Sequence, residues 1–391
     1  TRRMNRKLIL LVLLSAVTLQ ACLGGLKKKD PEEEPAELTK LEDGVTIKSA
    51  WSTKLGGGAE HLSLGLKPAS DGNRIFAASH SGVVSGLDLV TGKRDWSHDT
   101  DLALTAGPGY GDGLIIVGSA DGDVVAIDAV TGERRWSQVV SGELLAVPVI
   151  YSGVVIVRAV NGKIFALEAR NGALRWTVEQ SVPRLSLRGN GQPAAARDRV
   201  IVGFDNGRVV ALSLRDGADL WQAPLASGRG RTELDRMTDI DSNVVIVGEE
   251  VYVAGFQSRA ALLMLGDGQA AWAEQLSSAG GLAADWTALY ATSGDGHVYA
   301  LERASGKRLW EQSGLLRRGL TGPTPFGEAV VVGDFEGFLH WLSARDGSII
   351  GRARAGSARI AAQPLAVGER LIVQDEAGIL HAFTMPQSSA P

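Results

Sequence analysis

From about residue 51 onward, short apolar runs and polar turns alternate along the chain in a repeated pattern. In each unit, an apolar run rich in β-branched residues leads to a polar turn, a second alternating run, a glycine turn and a tryptophan. The first turn of four units is an Asp-Gly or Asn-Gly pair, as at Asp121-Gly122 and Asn161-Gly162. Such pairs accept positive φ angles and are strong signals for a β-hairpin. The pattern therefore predicts several antiparallel strands per unit.

The residues that close the units recur about every 40 positions. They are Trp51, Trp96, Trp136, Trp176, Trp221, Trp272, Trp310 and, in the eighth place, Ile350. A period near 40 with four strands per unit is typical of propeller blades. We therefore predict an all-β fold, an eight-bladed β-propeller with four antiparallel strands per blade. We interpret the closing tryptophans as wedges against the next blade, and Trp286 and Trp341, which fall outside the frame, as core residues.

The two ends of the repeat region are incomplete in complementary ways. The last unit, about residues 359–385, stops before any closing strand, and the strand around Trp51 has no unit before it. Pairing the two would close the ring and remove an open sheet edge. We predict that the N-terminal strand near Trp51 joins the last blade, so that the propeller spans residues 47–386 and residues 387–391 form a tail.

The N-terminal residues have the three parts of an export signal. Four basic residues within residues 2–7 precede an apolar run, Leu8 to Val17, which is shorter than the ~20 residues a membrane span needs. The next residues, Leu19-Gln20-Ala21-Cys22, resemble the lipobox of bacterial lipoproteins. That resemblance implies a signal peptide over residues 1–21 and lipidation of Cys22. An ordinary secretory signal with a chance cysteine is the alternative.

Residues 22–46 are rich in charge and proline. Since they offer too little apolar surface to fold, we predict a flexible tether that carries the lipidated cysteine. The residue after Cys22 is Leu23 and not aspartate. By resemblance to lipoprotein sorting in Gram-negative bacteria, this favours the outer membrane, with the protein anchored by lipid on the periplasmic face.

Composition and charge narrow the function further. The net charge of the 391 residues is −4, and without the four basic residues of the signal peptide it is −8 (−4 minus 4). No basic block is present, so the chain lacks the electrostatic footprint of a nucleic-acid binder. The single cysteine allows no internal disulfide, and the six histidines are scattered. No catalytic motif is found. We predict a protein that is not an enzyme and has no cofactor and no metal.

One acidic stretch imitates a calcium loop. Asp239, Asp241, Asn243 and Glu250 match positions 1, 3, 5 and 12 of such a loop, but Val244 stands where the sharp turn requires glycine. The residues after Asn243 are β-branched and predict a strand entering a blade.

The repeat is longest at two neighbouring places. The interval from Trp176 to Trp221 exceeds the usual spacing by five residues, and the interval from Trp221 to Trp272 exceeds it by eleven. The added loops, 181–193 and 227–243, occupy the same place in consecutive blades and should emerge on one face. Leucines beside charged residues there would form an apolar centre with a charged rim, as in protein-binding patches. The alternative is that the leucines fold back into the propeller.

The blade core resembles the pyrroloquinoline-quinone-type propeller repeat, as in Asp121–Trp136. This resemblance implies an alternative function: a quinone- or small-molecule-binding periplasmic propeller, with a dehydrogenase as its enzymatic form. The dehydrogenases of that family have much longer chains and an adjacent cysteine pair, which this sequence lacks.

A second resemblance is more specific. The lipobox, the repeats, Leu185–Gly189 in the first loop, the acidic spacing of the second loop and Val331–Trp341 together resemble the BamB family of outer-membrane protein assembly factors. The resemblance implies a non-catalytic scaffold of the β-barrel assembly machinery, monomeric within a larger complex. It implies docking on the POTRA domains of the barrel subunit BamA, and leaves open contact with nascent outer-membrane proteins. The implied partner contacts are Leu185, Leu187, Arg188, Asp239 and Asp241.

Overall fold

The computed structural model describes residues 34–41, 44–59, 62, 64, 66–183, 191–225, 239–240, 242–278 and 280–385. The chain divides into Thr1–Pro35 and Ala36–Pro391, and the fold described here belongs to the second unit. The predicted signal peptide, Cys22 and the tail 387–391 lie outside the described residues. Among the residues that the structure describes, no helix has the length and apolarity to cross a membrane.

Within these ranges, 32 strands form eight antiparallel sheets of four strands each, which are the blades of a propeller. The strands of blades 1 to 4 are β2 (Ala69–Ser70), β3 (Arg74–Ala78), β4 (Val83–Asp88) and β5 (Arg94–Asp99); β6 (Leu104–Gly111), β7 (Leu114–Ser119), β8 (Asp123–Asp128) and β9 (Arg134–Val139); β10 (Val149–Tyr151), β11 (Val154–Arg158), β12 (Lys163–Glu168) and β13 (Leu174–Glu179); and β14 (Ala194–Ala196), β15 (Arg199–Gly203), β16 (Arg208–Ser213) and β17 (Asp219–Pro224). The strands of blades 5 to 8 are β18 (Val245–Val247), β19 (Glu250–Val253), β20 (Arg259–Met264) and β21 (Ala270–Gln275); β22 (Gly281–Ala284), β23 (Ala288–Thr292), β24 (Val298–Glu302) and β25 (Arg308–Gln312); β26 (Thr324–Phe326), β27 (Ala329–Gly333), β28 (Phe338–Ser343) and β29 (Ile349–Arg354); and β30 (Leu365–Val367), β31 (Arg370–Gln374) and β32 (Ile379–Thr384) with β1 (Lys48–Lys54). The predicted fold and blade number are confirmed.

The ring closes through both ends of the chain, as predicted. Strand β1 pairs antiparallel with β32 and becomes the outer strand of blade 8, with Trp51 opposite Ala382. The segment after β1 continues the closure, because Leu55 donates its N–H to the carbonyl of Gly378 at 2.9 Å.

The core consists of apolar layers between adjacent blades. The second and third strands of each blade are buried on both faces, as in β7 and β8, whereas outer strands such as β9 bury mainly the tryptophan. Apolar side chains that point to either side of a middle strand therefore reach a neighbouring blade, which explains why these strands are nearly continuous apolar runs. One such layer joins Ile116 and Trp136 of blade 2 to Val155 and Phe165 of blade 3.

Each closing tryptophan joins its blade to the next one. Trp136 donates its indole N–H to the carbonyl of Ala169 at 2.7 Å, and a Cβ added at Gly172 would stand 2.6 Å from the Trp136 ring. A register shift between Ala126 and Ile127 lies opposite the tryptophan. Such a bulge redirects a side chain, and here the tryptophan points to the neighbouring blade. The interpretation of these residues as wedges is confirmed by this geometry.

The eighth closing position, on β29 of blade 7, is occupied by a different residue from the one predicted. Gly351, and not Ile350, pairs with the third strand as the tryptophans do, since Gly351 lies opposite Trp341 whereas Ile350 falls in the bulge. A side chain from the N-terminal segment covers this glycine, because a Cβ at Gly351 would stand 3.3 Å from Cδ1 of Ile47. The reason is topological. Blade 8 takes its outer strand from the N-terminus, so it has no glycine turn on which a tryptophan could dock.

Two further features differ from the sequence-based predictions. Trp341 is fully buried, as expected for a core residue, but Trp286 is 92% exposed. Trp286 is the tip of the β22–β23 hairpin, where the Asp285 carboxylate accepts the N–H groups of Thr287 and Ala288 and so fixes the turn. The second feature is the tether, of which residues 36–41 and 44–47 lie against the propeller and are held there by hydrogen bonds.

Candidate docking face

Two faces of the propeller can be distinguished by strand direction. The connections that follow the outer strands, and the hairpins between second and third strands, lie on one face, which we call the loop face. The hairpins between first and second strands lie on the opposite face. The two long connections belong to the loop face, since the first follows β13 and precedes β14, and the second follows β17 and precedes β18.

The ends of the two long connections are joined. The backbone N–H of Val244, at the end of the second connection, donates to the carbonyl of Gln192, at the end of the first, over 3.1 Å. The described ends of the two connections therefore re-enter neighbouring blades side by side on the loop face, while residues 184–190, 226–238 and 241 lie outside the described residues.

A buried ion pair holds the end of the first connection. Arg158, at the end of β11, lies 2.6 Å from the carboxylate of Asp205 in the next blade, and both side chains are about 95% buried. A second guanidinium nitrogen of Arg158 donates to the carbonyl of Gly191 at 2.9 Å. Removal of either partner would leave a buried charge without its partner, which is strongly destabilising. The pair therefore stabilises the position at which the connection rejoins the propeller.

The end of the second connection is seated by shape. Ile240 is fully buried and occupies the space above Gly203, where a Cβ would stand 2.4 Å from the Ile240 side chain. The preceding residue, Asp239, is also fully buried, and its carbonyl accepts the N–H of Phe256 at 2.8 Å. This contact ties the connection to the β19–β20 hairpin, where Gln257 adopts a positive φ of 47°.

The five residues assigned to the docking patch are described only in part. Leu185, Leu187, Arg188 and Asp241 lie outside the described residues. Asp239 is described, and it is buried beneath the surface instead of standing on it. Sequence reasoning treated its charge as a sign of exposure, but residue type alone does not show whether such a position is buried.

Of the residues that imitate a calcium loop, Asp241 lies outside the described residues, and Asn243 and Glu250 lie on opposite faces of the propeller. The Asn243 amide is engaged with the backbone of Leu282, at 3.2 Å and 3.3 Å. Glu250 lies at the opposite face, at the start of β19, where it pairs with Arg303 and accepts a hydrogen bond from Tyr252 at 2.6 Å. Burial and the neighbouring Glu250 raise the pKa of Tyr252 to about 12. In the described part of the chain, no group of three or more His, Cys, Asp or Glu side chains could hold a metal ion.

A second buried polar cluster lies on the loop face, in blade 7. Asp334 accepts from Arg318 Nε at 2.7 Å and from His340 Nε2 at 3.0 Å, and all three side chains are almost completely buried. The other ring nitrogen of His340 accepts from Arg352 Nε at 3.3 Å. Burial lowers the pKa of His340, and the two arginines add to that effect while Asp334 opposes it. The imidazole is therefore neutral at pH 7, which matches one donating and one accepting nitrogen.

The family model and three curated relatives that this sequence matches all carry the same family description. The family model described as outer membrane protein assembly factor BamB matches residues 81–312 and 294–386. The curated protein of that name from Pseudomonas aeruginosa is 44% identical, over 96% of this chain and 98% of its own. Its counterpart from Xanthomonas campestris is 36% identical, over 97% of this chain and 98% of its own. The counterpart from Escherichia coli is 33% identical, over 97% and 99%.

Solved structures agree on the fold. The crystal structure of BamB from Moraxella catarrhalis superposes with a TM-score of 0.79 at 30% identity, and covers 87% of this chain and all of its own. The quinohemoprotein alcohol dehydrogenase from Comamonas testosteroni superposes with a TM-score of 0.68 at 15% identity, over 88% of this chain and 78% of its own. At that identity, the likeness to the dehydrogenase concerns the propeller alone.

Proposed function

Since the chain belongs to the family of the outer membrane protein assembly factor BamB, we propose that it is a non-catalytic scaffold of the β-barrel assembly machinery. In this role it docks through its loop face on the periplasmic POTRA domains of the barrel subunit BamA and assists folding and insertion of outer-membrane β-barrel proteins. It acts as a monomer within that complex, at the outer membrane.

The observation that carries this proposal is the joined pair of long connections. The described ends of the two long connections, from neighbouring blades, are held together by the Val244–Gln192 hydrogen bond, which supports a single contiguous docking surface built from both loops. The buried Arg158–Asp205 pair and the seated Ile240 keep the ends of these loops in place. A rigid base reduces the entropy lost when a loop surface binds a partner.

We assign two different roles to the five predicted residues. Leu185, Leu187, Arg188 and Asp241 contact the partner, with the leucines as apolar anchors and the charges as the rim. The side chain of Asp239 is fully buried, and the residue is tied to the β19–β20 hairpin through its backbone, so we assign it to support of the second loop, where a changed side chain would have to fit a buried space. A substitution there should weaken docking indirectly, through the position of the loop.

Lipidation of Cys22 anchors the scaffold on the periplasmic face of the outer membrane in this proposal. Its support is the lipobox-like Leu19–Cys22 and the presence of a single cysteine at that place. More than one acyl chain is needed for stable attachment, which a lipidated and acylated N-terminal cysteine would supply.

A charge-reversal experiment tests the docking surface. We expect Arg188→Glu combined with Asp241→Lys to reduce co-purification of soluble propeller with the BamA periplasmic domains at least tenfold. Reversal places like charges across the rim, which costs several kcal/mol in a complementary interface. The measurement is a pull-down with both partners purified, with circular dichroism to establish that the propeller folds.

The matched control reverses two charges of blade 4, the blade between the two long connections, on the face opposite the loop face. Asp198 and Arg215 have side chains that are 76% and 88% exposed, and they lie at the hairpins away from the loops. Asp198→Lys with Arg215→Glu should leave the pull-down unchanged. Undiminished capture by the Arg188/Asp241 variant, or equal loss in both variants, would show that the docking surface lies elsewhere.

A further inference from the structure

The described residues that precede β1 lie against the propeller. Residues 36–41 and 44–47, which we call the strap, precede the closing strand. Ala36, Leu38, Leu41 and Ile47 are half-buried, while Glu37, Thr39 and Lys40 are exposed. A segment with so few apolar residues therefore turns nearly all of them towards the protein.

The strap is anchored on the loop face at its first residue. Ala36 donates its N–H to the carbonyl of Leu316 at 2.9 Å, and its own carbonyl accepts from Arg318 Nη1 at 3.0 Å. Arg318 is 3% exposed, and its other nitrogens bind Asp334 and Glu336. Through Arg318, the buried cluster of blade 7 thus donates a hydrogen bond to the strap.

A second arginine of the same cluster holds the middle of the strap. Arg352 on β29 donates through Nη1 to the carbonyl of Thr39 at 2.8 Å, while its Nε binds His340. Between the two arginines, Leu38 packs into the apolar layer that joins blades 6 and 7. Both arginines are held by buried partners, so little side-chain entropy is lost when they bind the strap.

The far end of the strap lies along the outer edge of blade 7. Val45 donates its N–H to the carbonyl of Ile350 at 2.7 Å, and Ile47 covers Gly351 in the place where other blades carry a tryptophan. The strap therefore runs from the loop face, across the outer strand β29, towards the start of β1 near the opposite face.

We propose that the strap is a clamp that sets where the tether leaves the propeller, on the loop face beside blades 6 and 7, and how far the tether can reach. The proposal rests on the proposed lipid anchor at Cys22. With the strap seated, 14 residues, Cys22 to Pro35, separate the lipid from the propeller, an extended length of at most about 50 Å. Release of residues 36–47 would add 12 residues, or about 40 Å.

Hydrogen exchange tests the clamp independently of any partner. In a soluble chain with Cys22→Ser, peptides over residues 36–47 should exchange slowly, and Leu38→Asp with Arg352→Ala should accelerate their exchange at least tenfold while blade peptides stay unchanged. The control is Arg354→Ala, because Arg354 lies on the same strand but binds the carbonyl of Gly356 at 3.0 Å. Wild-type strap peptides that exchange as fast as an unstructured peptide, or exchange unchanged by the double variant, would overturn the clamp.

A shortened tether tests whether the strap limits the distance between the lipid at Cys22 and the propeller. Deletion of Lys27–Glu34 removes about 26 Å of extended chain and should lower co-purification of the barrel subunit from solubilised membranes several-fold. Strap release by Leu38→Asp with Arg352→Ala should restore it. Palmitate labelling establishes that every variant is lipidated, with Cys22→Ser as the unlabelled control.

The outcomes separate the two proposals. If the deletion has no effect, or if strap release fails to rescue it, the strap does not limit reach. The pull-down with purified soluble domains requires no tether, so its result reports on loop docking alone. Absence of label in the wild-type chain would remove the lipid anchor on which the strap's role in reach depends, whereas the clamp itself would still be judged by exchange.

Discussion

At the scale of single residues, the junctions between blades depend on glycine. At seven junctions, a glycine with φ between 68° and 74° faces the indole ring of the preceding blade's tryptophan. Each tryptophan also donates to a carbonyl close to that glycine, as Trp136 does to Ala169. The glycine thus supplies both the left-handed backbone and the space that the ring occupies.

Two glycines of blade 3 allow the need for a left-handed backbone and the need for space beside the ring to be measured separately. Gly172 has φ 73° and lies against the Trp136 ring, whereas Gly153 has φ 76° and open space where a Cβ would stand. We expect Gly153→Ala to lower the free energy of unfolding by about 1–2 kcal/mol, the cost of a left-handed alanine. Gly172→Ala should cost a further 1–3 kcal/mol or so through overpacking. Urea titration measures both, and equal losses would show that the ring contact does not matter.

His340 makes stability depend on pH. The pKa of His340 lies below its ordinary value of 6.5 in the folded protein, chiefly because of burial, with Asp334, Arg318 and Arg352 as the charged neighbours. Below pH 6.5 the unfolded chain therefore binds a proton that the folded chain does not, so stability falls as the pH drops and levels off below the folded pKa. Above pH 6.5 this contribution is fully present.

The matched variant is His340→Gln, which retains one donor towards Asp334 and one acceptor for Arg352. Between pH 7.5 and 5.5, the urea midpoint of the wild type should fall more steeply than that of the variant. Parallel pH profiles, or an imidazole that titrates at or above 6.5 by NMR, would contradict the assignment.

At the scale of elements, the hairpins were predictable because local residues determine them. Asp-Gly and Asn-Gly turns fix the strand ends, and the tryptophan period gives the blade boundaries. The eighth place was misassigned by one residue because apolar character favoured Ile350, whereas the bulge places Gly351 there. Register within a bulged pair depends on backbone geometry, which an apolar pattern does not encode.

The strap was not predictable for a different reason. Its main partners are backbone carbonyls of Ala36 and Thr39, which any sequence possesses. The donors, Arg318 and Arg352, lie about 280 and 310 residues away in the chain. Composition alone therefore indicated a flexible segment. The exposure of Trp286 and the burial of Asp239 likewise depend on turn geometry and on the path of a long loop, not on residue type.

At the scale of the whole molecule, the pairing of β1 with β32 leaves no blade short of an outer strand. A chain that begins at Gly56 would lack β1 and expose the edge of β32. Because unpaired edges recruit other strands, we expect this truncation to dimerise or aggregate. A chain that begins at Gly44 keeps β1 and should remain monomeric. Light scattering after gel filtration measures both, and a monomeric Gly56 chain would contradict a protective role for β1.

The closure also constrains the order of folding. Trp51 lies opposite Ala382, so the last contact of the ring joins residues more than 300 positions apart. A chain that emerges from its N-terminus onward can assemble blades 1 to 7 from nearby strands, but blade 8 must wait for the final residues. Long-range pairing of this kind is slow and leaves apolar edges open in the meantime. During that interval, we expect the unfinished propeller to need chaperones that bind its open apolar edges.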